Sequence, residues 1–294
     1  MTNPARRVRS AGPALLRIVL LLACAPGLAG AQEGEGGGNR PTPEELNAPM
    51  PRLPDGKPDL SGRWGNQGAN FGGNAALQTR FDATGNYHNL RNDRKASPVN
   101  QERDAGMTQR FFSNVPMYKP EFWERVDYLD VNGNAEDSNF KCFPAGVPRM
   151  GPPMKIMATP TEVVLLYQQK NTWRYVPPNR EHDKLNSRDQ SYMGDSVGRW
   201  DGDTLVIDVE GFNEETWIGW PGYFHTNKMR VEERFRRQGN VIFYDVTVHD
   251  PDVLMEPWKM DQRVLRLNRN PLVQVEDPPC VESDGAHMYT KERG

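Results

Sequence analysis

The stretch from Gly198 to Phe235, GRWDGDTLVIDVEGFNEETWIGWPGYFHTNKMRVEERF, decides the fold. Ser196–Trp200 and Thr204–Val209 flank Asp201-Gly202-Asp203, and an Asp-Gly pair between two β-prone runs signals a hairpin, because both residues accept the positive φ of a tight turn. An aromatic loop follows with Trp217, Trp220, Tyr223, Phe224 and His225, and a further strand begins near Met229. Strand, turn, strand, aromatic loop, strand is an antiparallel pattern.

The same grammar continues on both sides. Met229–Arg237 meets Val241–His249 across Gly239-Asn240, and Trp258–Leu267 follows. Upstream, Lys155–Thr159, Glu162–Gln169 and Trp173–Val176 are joined by Pro160-Thr161 and Asn171-Thr172, and Gly62-x-Trp64 starts a first strand. About nine strands joined by tight turns, with no helices alternating between them, exclude a doubly wound α/β fold. They predict an all-β, mainly antiparallel meander that closes into a barrel or a strongly curled sheet. In Val241–His249, Ile242, Tyr244, Val246 and Val248 form an apolar face. Val241, Phe243, Asp245, Thr247 and His249 form a mixed one, as expected where the interior or mouth also accepts a polar ligand. Arg234, Arg236 and Arg237, alternating with Glu233 and Phe235, read as a strand with one solvated face. Pro120–Leu129 places Phe122, Val126 and Leu129 at helical spacing, which predicts a short helix packed on the sheet.

Apolar residues make up 36% of the 294, against 25 prolines and 27 glycines, so the core must come from a restricted part of the chain. Residues 32–50 read as a flexible leader, and 51–294 as one barrel-like domain with a long irregular insertion at about 66–114, a lid or a dimer arm. A formal net charge of −3 carries no nucleic-acid footprint, which needs concentrated Lys and Arg.

The N-terminus has the form of an export signal. Arg6, Arg7 and Arg9 precede a short apolar core (Ala14–Leu16 and Ile18–Leu22), and Ala29-Gly30-Ala31 is an A-x-A cleavage site, giving a signal peptide over 1–31. Arg17 interrupts the apolar run, which is too short for a transmembrane segment. Leu21-Leu22-Ala23-Cys24 offers the competing reading of a lipid anchor at Cys24. The expected location is periplasmic or secreted, with attachment to an envelope membrane as the alternative. Cleavage after Ala31 leaves Cys142 and Cys280, which in an oxidising compartment pair as a disulfide. The entropic effect of closing so long a loop is about 4–5 kcal/mol. Two separate buried thiols are the alternative.

Three pieces of sequence carry a resemblance: Pro54–Trp64 (PDGKPDLSGRW), Gly194–Asp208 (GDSVGRWDGDTLVID), and Glu233-Arg234-Phe235 before Asp250-Pro251 and Pro257-Trp258. Together they resemble a large family of exported bacterial proteins marked by PDGKPDLSGxW and GRWxGDTLV, over roughly 51–280 without the insertion. The resemblance implies membership and export, and no particular reaction. Gly62-x-Trp64 is also similar to the first strand of lipocalin-type (calycin) barrels, an analogy at the level of fold alone.

His225 is the leading candidate for chemistry. It lies between an aromatic loop and a strand start, where an imidazole at a barrel mouth would act as general acid or base if a carboxylate fixed its tautomer. Asp208, Glu232 and Glu233, on strands ending near one rim, are the candidate carboxylates. Trp200, Trp217 and Tyr223 would line the substrate site; the loop aromatics Trp217, Trp220, Tyr223 and Phe224 read alternatively as a capping mini-core. Asp195-Ser196 reads as turn chemistry, and Ser196 lacks the elbow of a serine nucleophile. His182-Asp183 and His249-Asp250 are adjacent in sequence, so their side chains point to opposite faces of a strand. Five histidines without HxH or HExxH predict no metal, and the lack of a Gly-rich phosphate loop predicts no nucleotide cofactor. The expectation is a cofactor-independent acid–base enzyme (lyase, isomerase or hydrolase) acting on a small apolar or aromatic molecule. His225, Asp208 and Glu233 would be catalytic, and Trp200, Trp217, Tyr223 and Glu232 would bind substrate. The alternatives are a non-catalytic lipocalin-like carrier or sensor, and an envelope structural protein.

Overall fold

The structure, a computed structural model, describes residues 41–65, 79–81, 87–89, 114–182, 190–219, 222–270 and 279–280. The expected signal peptide with Cys24, the first part of the leader, most of the 66–114 insertion, Asp183 and Trp220 lie outside the described residues. In chain order the strands are β1 Gly62–Gly65, β2 Thr79–Phe81, β3 Tyr87–Asn89, β4 Lys155–Ala158, β5 Val163–Leu166, β6 Trp173–Val176, β7 Asp195–Asp201, β8 Thr204–Glu210, β9 Trp217–Gly219, β10 Tyr223–Phe224, β11 Arg230–Gln238, β12 Val241–His249, β13 Trp258–Lys259 and β14 Arg263–Leu267.

The main sheet runs β6-β5-β4-β1-β14-β12-β11-β8-β7, with β13 beside β12. Leaving out the small hairpins β2–β3 and β9–β10 and the short β13, each strand pairs antiparallel with the next in sequence except β6 with β7, and β1 joins β14 to unite the two ends. This is an up-and-down meander curled into a nearly closed barrel, as the turn pattern predicted.

Nine strands in that path set a constraint. Antiparallel neighbours alternate in direction, so an odd ring leaves one junction where two strands run parallel. That junction is β6 against β7. The ladder there is reduced to one parallel bridge between Pro178 and Gly198. Gly198 N–H donates to the Pro177 carbonyl (3.0 Å) and Asn179 N–H donates to the Gly198 carbonyl (2.8 Å). Pro177 and Pro178 have no N–H to extend the pairing. A Cβ at position 198 would lie 3.0 Å from Val176 Cγ1, so the close approach at this seam depends on glycine.

Alternation separates interior from exterior. On β11, Val231, Glu233, Phe235 and Arg237 are buried, while Arg230 and Arg236 face solvent with half-buried Glu232 and Arg234 beside them. The solvated face read from the sequence holds for Arg234 and Arg236 but not for Arg237. On β12 the apolar set (Ile242, Tyr244, Val246, Val248) is buried, and four residues of the mixed set (Phe243, Asp245, Thr247, His249) are half-buried on the opposite face. The mixed set therefore does not supply the interior with polar groups. The inward apolar residues join one core with Leu60, Trp64, Ile156, Leu165, Leu205, Ile207 and Leu265, each contributing about 1.5–3 kcal/mol by leaving water.

The ends of the barrel are closed by different means. At the base the Pro54-Asp55-Gly56 turn, with Gly56 at φ +84°, presents Arg52 to Asp203 in a two-pronged ion pair (3.1 and 2.7 Å) and Lys57 to the Gly202 carbonyl (3.2 Å). The two motifs of the family resemblance thus touch each other. Arg237 stacks over the Trp64 ring (5.2 Å) and donates to the carbonyls of Gly239 and Asp59, while Trp64 Nε1 donates to Leu60 O (2.9 Å). The described end of the expected flexible leader is ordered here. Helix α1, Pro43–Asn47, begins with a Thr42–Glu45 capping box, accepts from Asn240 N–H through the Glu45 carbonyl (2.9 Å), and holds Arg266 through the Glu45 carboxylate (2.9 Å).

The other end is capped by the predicted helix, which is longer than expected: a 3₁₀ turn Pro120–Phe122 leads into α2, Trp123–Glu136. Val126 and Leu129 are buried. Gly222, at φ +70°, lies so close to α2 that a Cβ would meet Leu129 Cβ and Asp130 N at 2.9 Å. Tyr118 donates its hydroxyl to the Phe224 carbonyl and stacks on Tyr223, with Arg125 over the Phe224 ring (4.0 Å).

Candidate functional site in the barrel interior

A polar cluster sits on inward positions that the β pattern reserves for apolar side chains. Arg174 on β6 alternates with Trp173 and Tyr175, both exposed, so the charged residue points inward and the aromatic ones outward. Its Nη2 donates to Glu233 Oε2 at 2.5 Å, and Tyr244 on β12 donates its hydroxyl to Glu233 Oε1 at 2.6 Å. Glu233 has no exposed surface and Arg174 is 3% exposed. Tyr167, just beyond β5, lies beneath the guanidinium, 5.6 Å from ring centroid to Cζ. Arg263 on β14 is opposite Tyr244 in register.

Charge in this site is set by burial and by one carboxylate. Burial opposes the charge on Arg174, but the field of Glu233 outweighs it and the guanidinium pKa rises above its usual value. Burial pushes Tyr244 well above the usual phenol range, and Glu233 adds to the shift. Tyr167 moves the same way, through burial first, with Arg174 partly opposing it. Burial lowers Arg263, offset in part by Tyr244, Asp261 and Glu233. Both phenols are therefore neutral at physiological pH and both guanidinium groups are charged.

The cluster is not self-sufficient. Among the described residues, Arg174 Nε and Nη1 and the Ser196 hydroxyl are buried without a hydrogen-bond partner; the Tyr167 hydroxyl has no well-formed hydrogen bond either, its polar neighbour being the Arg174 guanidinium. Each such group costs about 1–3 kcal/mol, more when charged. Ser196 is buried on β7, the strand facing β6 across the seam, so two of the unmatched residues flank the stretch above the Pro178–Gly198 bridge. Among the described residues, no group of three or more His, Cys, Asp or Glu is placed to hold a metal ion.

The residues singled out from sequence fall in four places. His225, Trp217 and Tyr223 are buried in the cap. Trp200 is at the base, 5.9 Å from Lys57 Nζ. Glu233 is in the interior cluster. Asp208 and Glu232 are cross-strand neighbours on the outer face. His225 Nδ1 lies 2.9 Å from the Thr226 carbonyl, which only accepts, so Nδ1 carries the proton, and Nε2 accepts from the Thr216 hydroxyl at 2.7 Å. Burial lowers its pKa, opposed by the Thr226 carbonyl, Asp250 and Glu214, and the imidazole is neutral. Its tautomer is fixed by a backbone carbonyl, and the structure does not bring Asp208 or Glu233 into hydrogen bond with it. Asp208 does meet an imidazole, that of His182, at 3.2 Å from Nε2, and Asp195 meets Nδ1 of the same ring at 3.0 Å. Arg230 and Arg180 flank the two acids.

Arg174, Tyr167, Tyr244 and Arg263 were not found from sequence. Trp173-Arg174-Tyr175-Val176 offers two aromatic residues for burial and an arginine for solvent, and hydropathy orients that strand backwards. The usable signal was Glu233, a lone acid in the alternating set Val231, Phe235.

Cys142 and Cys280 have their sulfurs at bonding distance, 2.10 Å, across 138 residues, as the sequence predicted. No helix among the described residues is long and apolar enough to cross a membrane. Comparison with protein-family models, with curated proteins and with solved structures finds no match.

Proposed function

We propose that this chain is a lipocalin-like binding module that takes a small molecule into the barrel interior, outside the cytoplasm. The observation that carries the reading is the group of buried donors on Arg174, Tyr167 and Ser196 that the described residues leave without a well-formed hydrogen bond. An apolar core would be more stable without them, and a partly satisfied polar network is a liability unless something completes it. The bonded cysteine pair supports an oxidising compartment and, with the N-terminal signal pattern, export. Mutual contact of PDGKPDLSGRW and GRWDGDTLV at the base supports reading them as one structural signature of the exported family they resemble.

The acid–base reading has less support. His225 has the neutral form a general base needs, but both ring nitrogens are engaged by threonines and the residue is 2% exposed. The test is native mass spectrometry of the full-length protein after exposure to a small-molecule extract. A molecule retained by wild type and by His225→Gln, and lost from Arg174→Met, is the expected result. Product formation that depends on His225 would replace the binding reading with catalysis, and wild type that retains nothing would end it.

A further inference from the structure

We infer that the interior ligand is a small monocarboxylate with an apolar body, its carboxylate held by Arg174 with help from Tyr167 and Ser196. This rests on the binding reading and specifies its ligand. The unmatched atoms set the polarity. Arg174 Nε and Nη1 can only donate, and the Tyr167 and Ser196 hydroxyls can donate. A ligand that completes them must bring acceptors, which excludes an ammonium or guanidinium compound. An alcohol supplies one weak acceptor, whereas a carboxylate supplies two oxygens with charge, and bonds to charged groups are about twice as strong.

The acid already present is shared too widely to serve. Glu233 takes Arg174 Nη2 on one oxygen and the Tyr244 hydroxyl on the other, and its field also reaches Arg263. Proximity to Glu233 also limits the ligand's charge. A dianion placed on the remaining guanidinium nitrogens would meet twice the repulsion from that carboxylate that a monoanion meets. The rest of the ligand would meet Leu165, Val176, Ile207 and Val209, all inward and buried. A ligand body placed against that wall would contact hydrocarbon only. Entry is placed at the seam, where β6 and β7 are held by two backbone hydrogen bonds rather than a ladder.

The experiment is calorimetric titration of the full-length protein with octanoate, octanol and octyl phosphate, and with benzoate and benzyl alcohol. The expected result is a carboxylate bound at least ~10-fold tighter than the alcohol of the same skeleton. Tyr167→Phe weakens it roughly 2- to 10-fold and Arg174→Met roughly 10- to 100-fold, while His225→Gln leaves it unchanged. Near-ultraviolet circular dichroism checks that each variant is folded. Tyr167→Phe keeps the charge pattern and removes one hydroxyl, so it tests the site if Arg174→Met does not fold. Acid and alcohol bound equally would overturn the carboxylate assignment and leave the binding module standing. Tighter binding of octyl phosphate would overturn it in favour of a dianion. No heat with any probe, together with a crystal structure showing only water on Arg174, would overturn both.

Discussion

Replacing Glu233 by glutamine isolates the electrostatics of the interior. The substitution conserves shape and leaves no void, so packing is unchanged to first order. What changes is that Arg174, whose side chain is 2% exposed, loses the carboxylate 2.5 Å from its Nη2, and the Tyr244 hydroxyl loses a charged acceptor for a neutral one. The guanidinium is withdrawn from bulk solvent, and removing one member of such a buried pair costs about 3–5 kcal/mol. Against a total stability of about 5–15 kcal/mol this is a large fraction. In urea unfolding without added ligand, the midpoint should fall by about 1–2 M with little change in slope. The double variant Arg174→Met with Glu233→Leu removes both charges and should unfold near the wild-type midpoint or above it, because two desolvated charges are replaced by hydrocarbon. The cycle built from both single variants and the double variant then gives a coupling of opposite sign to simple additive damage. A Glu233→Gln variant within about 0.5 kcal/mol of wild type, the scatter of ordinary surface substitutions, would refute the claim that the interior charge depends on this carboxylate.

The seam should be as sensitive as its geometry implies. Gly198→Val forces side-chain volume against Val176 and separates the two backbone hydrogen bonds there, costing about 2–5 kcal/mol by equilibrium unfolding, and hydrogen exchange at the Asn179 amide should accelerate while that of the β11–β12 ladder does not. His225 gives a pH signature. Its folded pKa lies below its unfolded value, so the unfolded chain takes up the proton first on acidification. The stability conferred by the neutral ring is present above about pH 6.5 and is lost as pH falls toward the folded pKa, at up to about 1.4 kcal/mol per unit. His225→Gln should flatten that slope between pH 7 and 5, measured by thermal melting, and an unchanged slope would count against a buried neutral imidazole. Cys142→Ser opens a loop spanning 138 residues and should lower stability by up to about 5 kcal/mol on the loop-entropy model, detectable as a wild-type melting temperature that drops on reduction while that of the variant does not.

Strand number, turn positions and meander order were legible because each rests on local chemistry. Asp201-Gly202-Asp203 and Gly239-Asn240 adopt tight turns wherever they stand, and β-branched runs such as Glu162–Gln169 need only a period of two. The parallel seam was not legible. It follows from a count taken around the whole ring, and no residue near Pro177 or Gly198 announces it except two prolines and a glycine that read equally well as loop. The candidate site was less legible for a different reason. His225 draws attention because imidazole titrates near neutrality, but its role is set by which groups reach its two nitrogens, and Thr216 and the Thr226 carbonyl are invisible to pattern reading. Asp208 was paired with His225 from sequence, whereas the structure sets it against His182, delivered by a loop whose path the strand pattern does not constrain.

The distribution of charge over β11 links the fold to the proposed binding role. Four inward positions in sequence carry Val231, Glu233, Phe235 and Arg237, so the same strand sends an acid into the middle of the barrel and a base into its floor. Arg237 is held from within, by the Trp64 ring and by the Gly239 and Asp59 carbonyls, the latter from the opening PDGKPDLSGRW segment. Its role ends with closing the base. Glu233, two rungs higher, is paired with an arginine that retains unused donors. No nitrogen of Arg237 is among the buried unmatched atoms of the described residues, and if interior charges served folding alone the same would be expected of Arg174, since a buried donor without a partner is a direct loss of stability. The contrast between Arg237 and the unmatched Arg174 nitrogens is therefore the structural argument for a ligand. It makes a comparative prediction: a saturating carboxylate should raise the melting temperature of wild type, leave that of Arg174→Met unmoved, and still raise that of Arg237→Met, whose defect lies at the other polar layer. Equal stabilisation of all three would place binding elsewhere on the molecule.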